Sequence, residues 1–222
     1  MEENKKILSP RYVDSERDKE FKIEYSGDKQ VKQIRYFRNG KWEVYKDEST
    51  AGHQNKKLLV RKYFKKKVDT AINLANLSKE DEILDFGCGA GTLKNRLRTE
   101  GYKVTGYDIT PEHSDIEDYT KLSPNKIFAM DVFEHMFKED IILTLQNFKK
   151  MSNHFFIIVS IPVEGLIYRN IRRLMGKRPI DVGHITNIKE LKSILNHEFK
   201  FVKGKNILNL TYVGLWEYKK SF

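Results

Sequence analysis

Three glycines fall within five positions of the stretch Ile83 to Leu93, ILDFGCGAGTL, directly behind an apolar run. Lacking side chains, Gly87, Gly89 and Gly91 permit a tight turn and let a ligand lie against bare backbone. The order Asp85-x-Gly87-x-Gly89-x-Gly91 is not the G-x-G-x-x-G spacing that seats a pyrophosphate over a helix N-terminus. A carboxylate ahead of the glycines repels a phosphate but attracts an amino group. A second acid, Asp108, ends the next apolar run, ~20 residues beyond the first glycine, where a carboxylate accepts hydrogen bonds from both hydroxyls of a ribose. A third group, Asp131-Val132-Phe133-Glu134-His135, places three polar side chains in five positions. Such a group can bind a divalent metal, orient a substrate hydroxyl or supply a general base, the last a role that suits histidine side chains.

The ligand these features describe is a nucleoside with a cationic, amino-bearing tail and no phosphate. S-adenosyl-L-methionine has that constitution. ILDFGCGAGTL, followed by GYKVTGYD and then AMDVFEHM, resembles the class I S-adenosylmethionine-dependent methyltransferases, over roughly Lys56 to the C-terminus. The resemblance implies a methyltransferase in which Asp85, Gly87, Cys88, Gly89 and Gly91 flank the methionine moiety. It also implies that Asp108, with Ile109, holds the ribose, and that Asp131 and Val132 line the cofactor site. Within the superfamily, the third segment is similar to the ubiquinone-biosynthesis O-methyltransferases (the methyltransferase type 11 and 23 group), where an acid-x-x-Glu-His cluster is associated with a divalent metal. It also resembles the small-RNA 3′-end 2′-O-methyltransferases, which add a later histidine; His184, in DVGHITN, stands where that residue would be. His135 is the first candidate base, His184 the second, with Glu134 beside them. Magnesium is the ion such a cluster would take, although the motif also occurs in family members without metal, and no residue is assigned to a metal here.

The chain departs from the family between Asp108 and Lys126, where only 17 residues stand. The family fits a helix and a strand there. Either the helix has shrunk to a turn or the edge strand is missing, and Asp115 and Asp118 are the acids on hand for the adenine.

Positioning these groups requires strands that deliver each motif to one edge of a sheet. EILDF, YKVTGYD, KIFAMDV and FFIIVSIP read as strands, and helix-length segments separate most of them. That alternation predicts an α/β, Rossmann-like, mostly parallel sheet with helices on both faces. Two closing strands in FKFVKGKNILNLTYVGLWEYKK, with no helix between, predict an antiparallel last strand. A helix is expected from Asn55 to about Leu77, with Leu58, Leu59, Phe64, Val68, Ile72 and Ala75 on its apolar face and the lysines of KKLLVRKYFKKK on its solvated side. Upstream, FKIEYSGDKQVKQIRYFRNGKWEVY alternates as a small β-meander, with Asn39-Gly40 as a hairpin turn. The expected division is residues 1–50 as an N-terminal extension that caps the substrate, and 51–222 as the methyltransferase domain.

The net charge of +10 divides as +7 over residues 1–80 (20 Lys/Arg against 13 Asp/Glu), −4 over 81–150 (9 against 13) and +7 over 151–222 (12 against 5). Basic flanks suit RNA, an anionic membrane surface or an anionic small substrate, and equally a solvated lysine-rich surface. PVEGLIYRNIRRLMGKRPIDVGH interleaves apolar residues with five cations. Its 164–178 portion can lie on a membrane surface, clamp phosphate, or serve as an ordinary lid helix. No apolar run reaches the ~18–20 residues of a membrane span, the start lacks an apolar signal core, and a single cysteine allows no internal disulfide. The expectation is a cytoplasmic enzyme that methylates an oxygen of a small or lipophilic molecule. RNA is the alternative acceptor, and a non-catalytic cofactor-binding scaffold the alternative outside enzymology.

Overall fold

The computed structural model describes residues 58–163, 165 and 186–221, together with the backbone of 21–25, 31–38 and 41–44. His184 and, Gly165 apart, the basic segment 164–178 lie outside the described residues. Strands β1 (Phe21–Tyr25), β2 (Val31–Arg38) and β3 (Lys41–Val44) form an antiparallel meander. Arg38 stands opposite Lys41, the register that a two-residue Asn-Gly connection requires.

The remaining elements run α1 (Leu58–Ala75), β4 (Glu82–Phe86), α2 (Thr92–Thr99), β5 (Lys103–Tyr107), β6 (Lys126–Met130), α3 (Lys138–Met151), β7 (His154–Pro162), α4 (Ile188–Glu198), β8 (Lys200–Ile207) and β9 (Thr211–Lys219). Six strands pair in the order β5-β4-β6-β7-β9-β8. The first four are parallel, and β9 inserts antiparallel between β7 and β8. Period-two alternation sorts the buried strands between two layers. Leu84, Phe86, Ile127, Ala129, Ile157, Val159 and Ile161 pack on α3 and α4. Ile83, Val104, Phe128, Ile158, Val213 and Leu215 point the other way, onto α1 and α2. Strands apolar on both faces are what a sheet covered on both sides demands.

Two expectations about α1 are corrected. Leu58 and Leu59 are exposed, so the apolar stripe begins a turn later. Lys67 does not share the solvated side of Lys65 and Lys66; it lies on the packed face with Val68 and Ala71 and is buried. Tyr63, Lys67 and Ala71 are four residues apart and therefore share one side of the helix.

Residues 109–125 contain neither a helix nor a strand. They hold two single 3₁₀ turns, Pro111–His113 and Tyr119–Lys121, so β5 ends the sheet. Side chains close its outer edge. The Asp115 N–H donates to the Gly106 carbonyl (2.9 Å), and the Gly106 N–H donates to Asp115 Oδ2 (2.7 Å). Arg98 donates twice to the Val104 carbonyl and once to Asp115, while Lys94 Nζ donates to Asp115 Oδ1 at 2.9 Å. Asp115 is thereby anchored beside the strand by three donors, two side chains of α2 and one backbone N–H of β5.

Candidate active site at the strand tips

The parallel strands β4, β5 and β6 end side by side. Phe86 stands opposite Tyr107 on one side and Ala129 on the other, so the segments that follow leave the sheet together. Ligands of open α/β sheets sit at this carboxyl edge.

After β4 the chain turns through Gly87 (φ 72°), Gly89 (φ 48°) and Gly91 (φ 77°), all in the left-handed region that residues with a Cβ disfavour. The N–H groups of Gly87 and Cys88 both donate to the Tyr107 carbonyl, at 2.7 and 3.0 Å, which folds the turn over the tip of β5. A Cβ on Gly87 would stand 2.4 Å from Val132 Cγ2. Glycine therefore lets the segment after β6 close against this turn. Cys88 is buried; its thiol donates to the His113 carbonyl, and burial pushes it up to about 12. It is a packing group, not a nucleophile.

Asp85 lies beneath the turn, 2 % exposed, and accepts a hydrogen bond from the Lys94 N–H at 3.1 Å, near the start of α2. Burial raises its carboxyl to about 7, against the opposing pull of the Lys94 N–H and ammonium. Asp108 occupies the tip of β5, with Oδ2 accepting from the Gly89 N–H (2.8 Å) and Oδ1 from the Thr110 N–H (2.9 Å). Two backbone donors fix its orientation, and lone pairs on both oxygens remain for ligand hydroxyls. Ile109, which follows, is exposed.

At the tip of β6, Asp131 adopts φ 56°, a strained value for a residue with a side chain. Its Oδ1 accepts from Ser160 Oγ at 2.5 Å, its N–H donates back to that oxygen at 2.9 Å, and its Oδ2 is ion-paired with Lys67 Nζ. Burial alone would raise this carboxyl; the Lys67 charge and the hydrogen bonds from Lys67 and Ser160 outweigh it and hold it below the ordinary range, with His135 adding to the effect. Lys67 answers in kind. Burial would lower it, and Asp131 more than compensates. One helical turn before Lys67, the Tyr63 hydroxyl bonds Thr211 Oγ1 at the start of β9. Burial raises this phenol above its usual value, so it stays protonated. Glu134 is 1 % exposed, close enough to bear electrostatically on Tyr63 and Lys67, and its carbonyl accepts from the Thr186 N–H. His135 is half-buried on the 3₁₀ turn Phe133–His135.

The structure thus brings together Asp85, Gly87, Cys88, Gly89, Gly91, Asp108, Asp131, Val132, Glu134 and His135 at one end of the sheet. Sequence reasoning missed Lys67, Tyr63, Ser160 and Thr211. For Lys67 a signal existed, since it interrupts the apolar stripe of α1 four residues before Ala71. Ser160 and Thr211 carry none, being ordinary strand residues until β7 and β9 are aligned. Among the described residues, no three His, Cys, Asp or Glu side chains stand close enough to hold a metal ion. Among them, too, no helix is long and apolar enough to cross a membrane.

Comparison with known proteins gives the same architecture. The magnesium protoporphyrin IX methyltransferase of Synechocystis PCC 6803, solved with bound SAH, superposes over 77 % of this chain and 91 % of its own, with TM-score 0.54 and 16 % identity. The ubiquinone biosynthesis O-methyltransferase of Actinobacillus pleuropneumoniae serotype 7 is 25 % identical over 58 % of this chain and 62 % of that protein. An uncharacterised methyltransferase of Schizosaccharomyces pombe is 49 % identical over 37 residues, 17 % of this chain and 14 % of that protein. The chain spans less than two thirds of the length of either curated relative. Residues 59–198, from α1 to the end of α4, match the family defined by the methyltransferase domain, and the chain belongs to that family.

Proposed function

We propose that this protein transfers the methyl group of S-adenosylmethionine to an oxygen of a small or lipophilic acceptor. The observation that supports this most directly is the meeting, at three adjacent strand tips, of a bare glycine turn, the doubly anchored Asp108 and the Asp131–His135 segment. The residues present suit that cofactor. Asp108 offers lone pairs to a vicinal diol, and the glycine turn offers close backbone approach. The solved relative with bound SAH, and another structure of it with bound SAM, have the same fold.

When bound, the cofactor supplies an activated methyl on a sulfonium, so the protein's task is chiefly placement. Asp108 and Ile109 flank the ribose, while Asp85, Gly87, Cys88, Gly89 and Gly91 shape the wall against which the methionine end lies. Asp131 and Val132 close that wall from β6. His135 takes the proton from the acceptor hydroxyl at its imidazole nitrogen as the oxygen attacks, and Glu134 holds the turn on which His135 sits. His184 is the second candidate for proton transfer, and the meander of residues 1–50 is assigned to cover the acceptor. The curated relative in ubiquinone biosynthesis supports an oxygen acceptor of lipophilic character.

Calorimetric titration with S-adenosylhomocysteine, with and without magnesium, tests the reading. Saturable one-to-one binding is the expected result, and a magnesium dependence would add the metal to the site. Absence of binding at millimolar ligand would refute the cofactor assignment.

A further inference from the structure

The turn between β8 and β9 carries a leucine where the backbone disfavours one. Leu208 (φ 54°) and Asn209 (φ 55°) both lie in the left-handed region, and the Leu210 N–H closes the turn on the Ile207 carbonyl at 2.9 Å. Asn, Asp and Gly take such central positions at little cost; a bulky apolar side chain does not. Burial does not offset the strain, since Leu208 is 60 % exposed. Strain kept at an exposed apolar tip points to a use for that side chain outside the fold.

The Leu210 carbonyl accepts from the Val163 N–H just past β7, so the turn stands at the carboxyl edge of the sheet, beside the candidate active site. Helix α1 starts at that edge too. Its Lys67 meets Asp131 at the tip of β6, and its Tyr63 meets Thr211, three residues after Leu208. Leu59 lies one helical turn before Tyr63 on the same side of α1, and so projects past the strand tips as the hairpin does. Leu59 is 80 % exposed, and Leu58 is exposed beside it. Cations flank these leucines: Arg61 and Lys62 are exposed on α1, and Lys205 is exposed on β8, opposite Val213 and hence on the sheet face that α1 covers. Neither Leu58 to Val68 nor Lys200 to Trp216 contains an Asp or Glu.

Apolar tips set among cations match the layers of an anionic bilayer, whose acyl boundary takes leucine and whose headgroups take Lys and Arg. We propose that the start of α1 and the β8–β9 turn form an edge by which this protein docks on an anionic lipid surface. A nucleic acid pairs with the cations but gives a strained leucine nothing to enter. Docking needs no cofactor. One consequence rests on the acceptor reading above: a lipophilic acceptor reaches the strand tips directly from the bilayer.

The test is sedimentation of the full chain with vesicles of phosphatidylcholine and phosphatidylserine in equal amounts, with phosphatidylcholine vesicles, and with none. The wild type should pellet with the anionic vesicles and far less with the neutral ones. Leu208→Asn gives the turn a residue that suits it, so its Tm should hold or rise while partition falls roughly 10-fold, the effect of withdrawing one buried leucine. A merely structural leucine would not separate those two readouts. Leu59→Ser should lower partition similarly, and Arg61→Gln/Lys62→Gln should lower it about 10-fold or more on anionic vesicles only. S-adenosylhomocysteine titration of the same variants should not change, which keeps failure of docking distinct from failure of the cofactor assignment. Three results would overturn the inference. They are no preference for anionic vesicles, wild-type partition in both leucine variants (docking then belongs to another part of the chain), or self-association without vesicles that Leu208→Asn abolishes (a second copy then covers the tip).

Discussion

Asp85 makes the stability of this protein depend on pH in an unusual direction. Its carboxyl titrates at about 7 in the fold, against an ordinary 3.8, because burial disfavours the charged form more than the Lys94 N–H and ammonium favour it. The folded state therefore binds a proton that the unfolded chain has already released, and stability falls as pH rises through that window. Between pH 5.5 and 7 the unfolded carboxyl is ionised throughout, so the loss follows ~1.4 kcal/mol per pH unit and reaches about 2 kcal/mol before levelling off by pH 8. In a domain of this size that corresponds to roughly 4–8 °C in Tm. Other groups titrate over the same range, so the informative quantity is a difference. Asp85→Asn keeps an acceptor for the Lys94 N–H but cannot ionise. Urea denaturation of both proteins at pH 5.5, 7 and 8 should show the wild type losing about 2 kcal/mol relative to the variant across the series. A gap that stays constant to within a few tenths of a kcal/mol would refute the claim that Asp85 is neutral in the fold near pH 6.

Three further outcomes are expected. Asp108→Ala should weaken S-adenosylhomocysteine binding by ~1–3 kcal/mol; unchanged affinity in a folded variant would remove Asp108 from the ribose site. His135→Ala should lower turnover by roughly 10²–10⁴-fold, the span of general base catalysis, with little change in nucleoside affinity measured by calorimetry; parallel losses in both would make the residue structural. Gly87→Ala should destabilise the fold by about 2–4 kcal/mol in urea melts, through left-handed strain and the clash with Val132. Adding Val132→Ala should recover the clash portion only, and full recovery would show that the backbone angle costs nothing.

The architecture was legible because its signals are local. Short, nearly continuous apolar runs in EILDF, KIFAM and FFIIVSIP read as strands buried on both faces, and the intervening lengths leave room for little except helices. The places of the glycine turn and of Asp108, at the ends of β4 and β5, were readable for the same reason. Lys67 was missed although its spacing to Ala71 set it apart from Lys65 and Lys66, because a run of three lysines reads first as a solvated face. The bond between Ser160 and Asp131 spans 29 positions and exists only because β6 and β7 lie in register. Asp115 shows the reverse error. A carboxylate in the shortened segment looked available to a ligand, yet the backbone groups at the rim of β5 and two neighbouring cations hold it.

That stitched rim bears on how the protein behaves among its own copies. A sheet that simply loses a strand offers its bare ladder to any passing chain, the usual route to aggregation. Here Arg98 and Asp115 cover the carbonyl of Val104 and both polar backbone groups of Gly106. The opposite rim, β8, is defended by other means, with Lys200, Lys203 and Lys205 along an exposed strand and a register break between Phe201 and Lys203. One border is sealed by side-chain hydrogen bonds and the other by charge repulsion and irregularity. Both borders of this six-stranded sheet therefore discourage another copy from pairing along its edge.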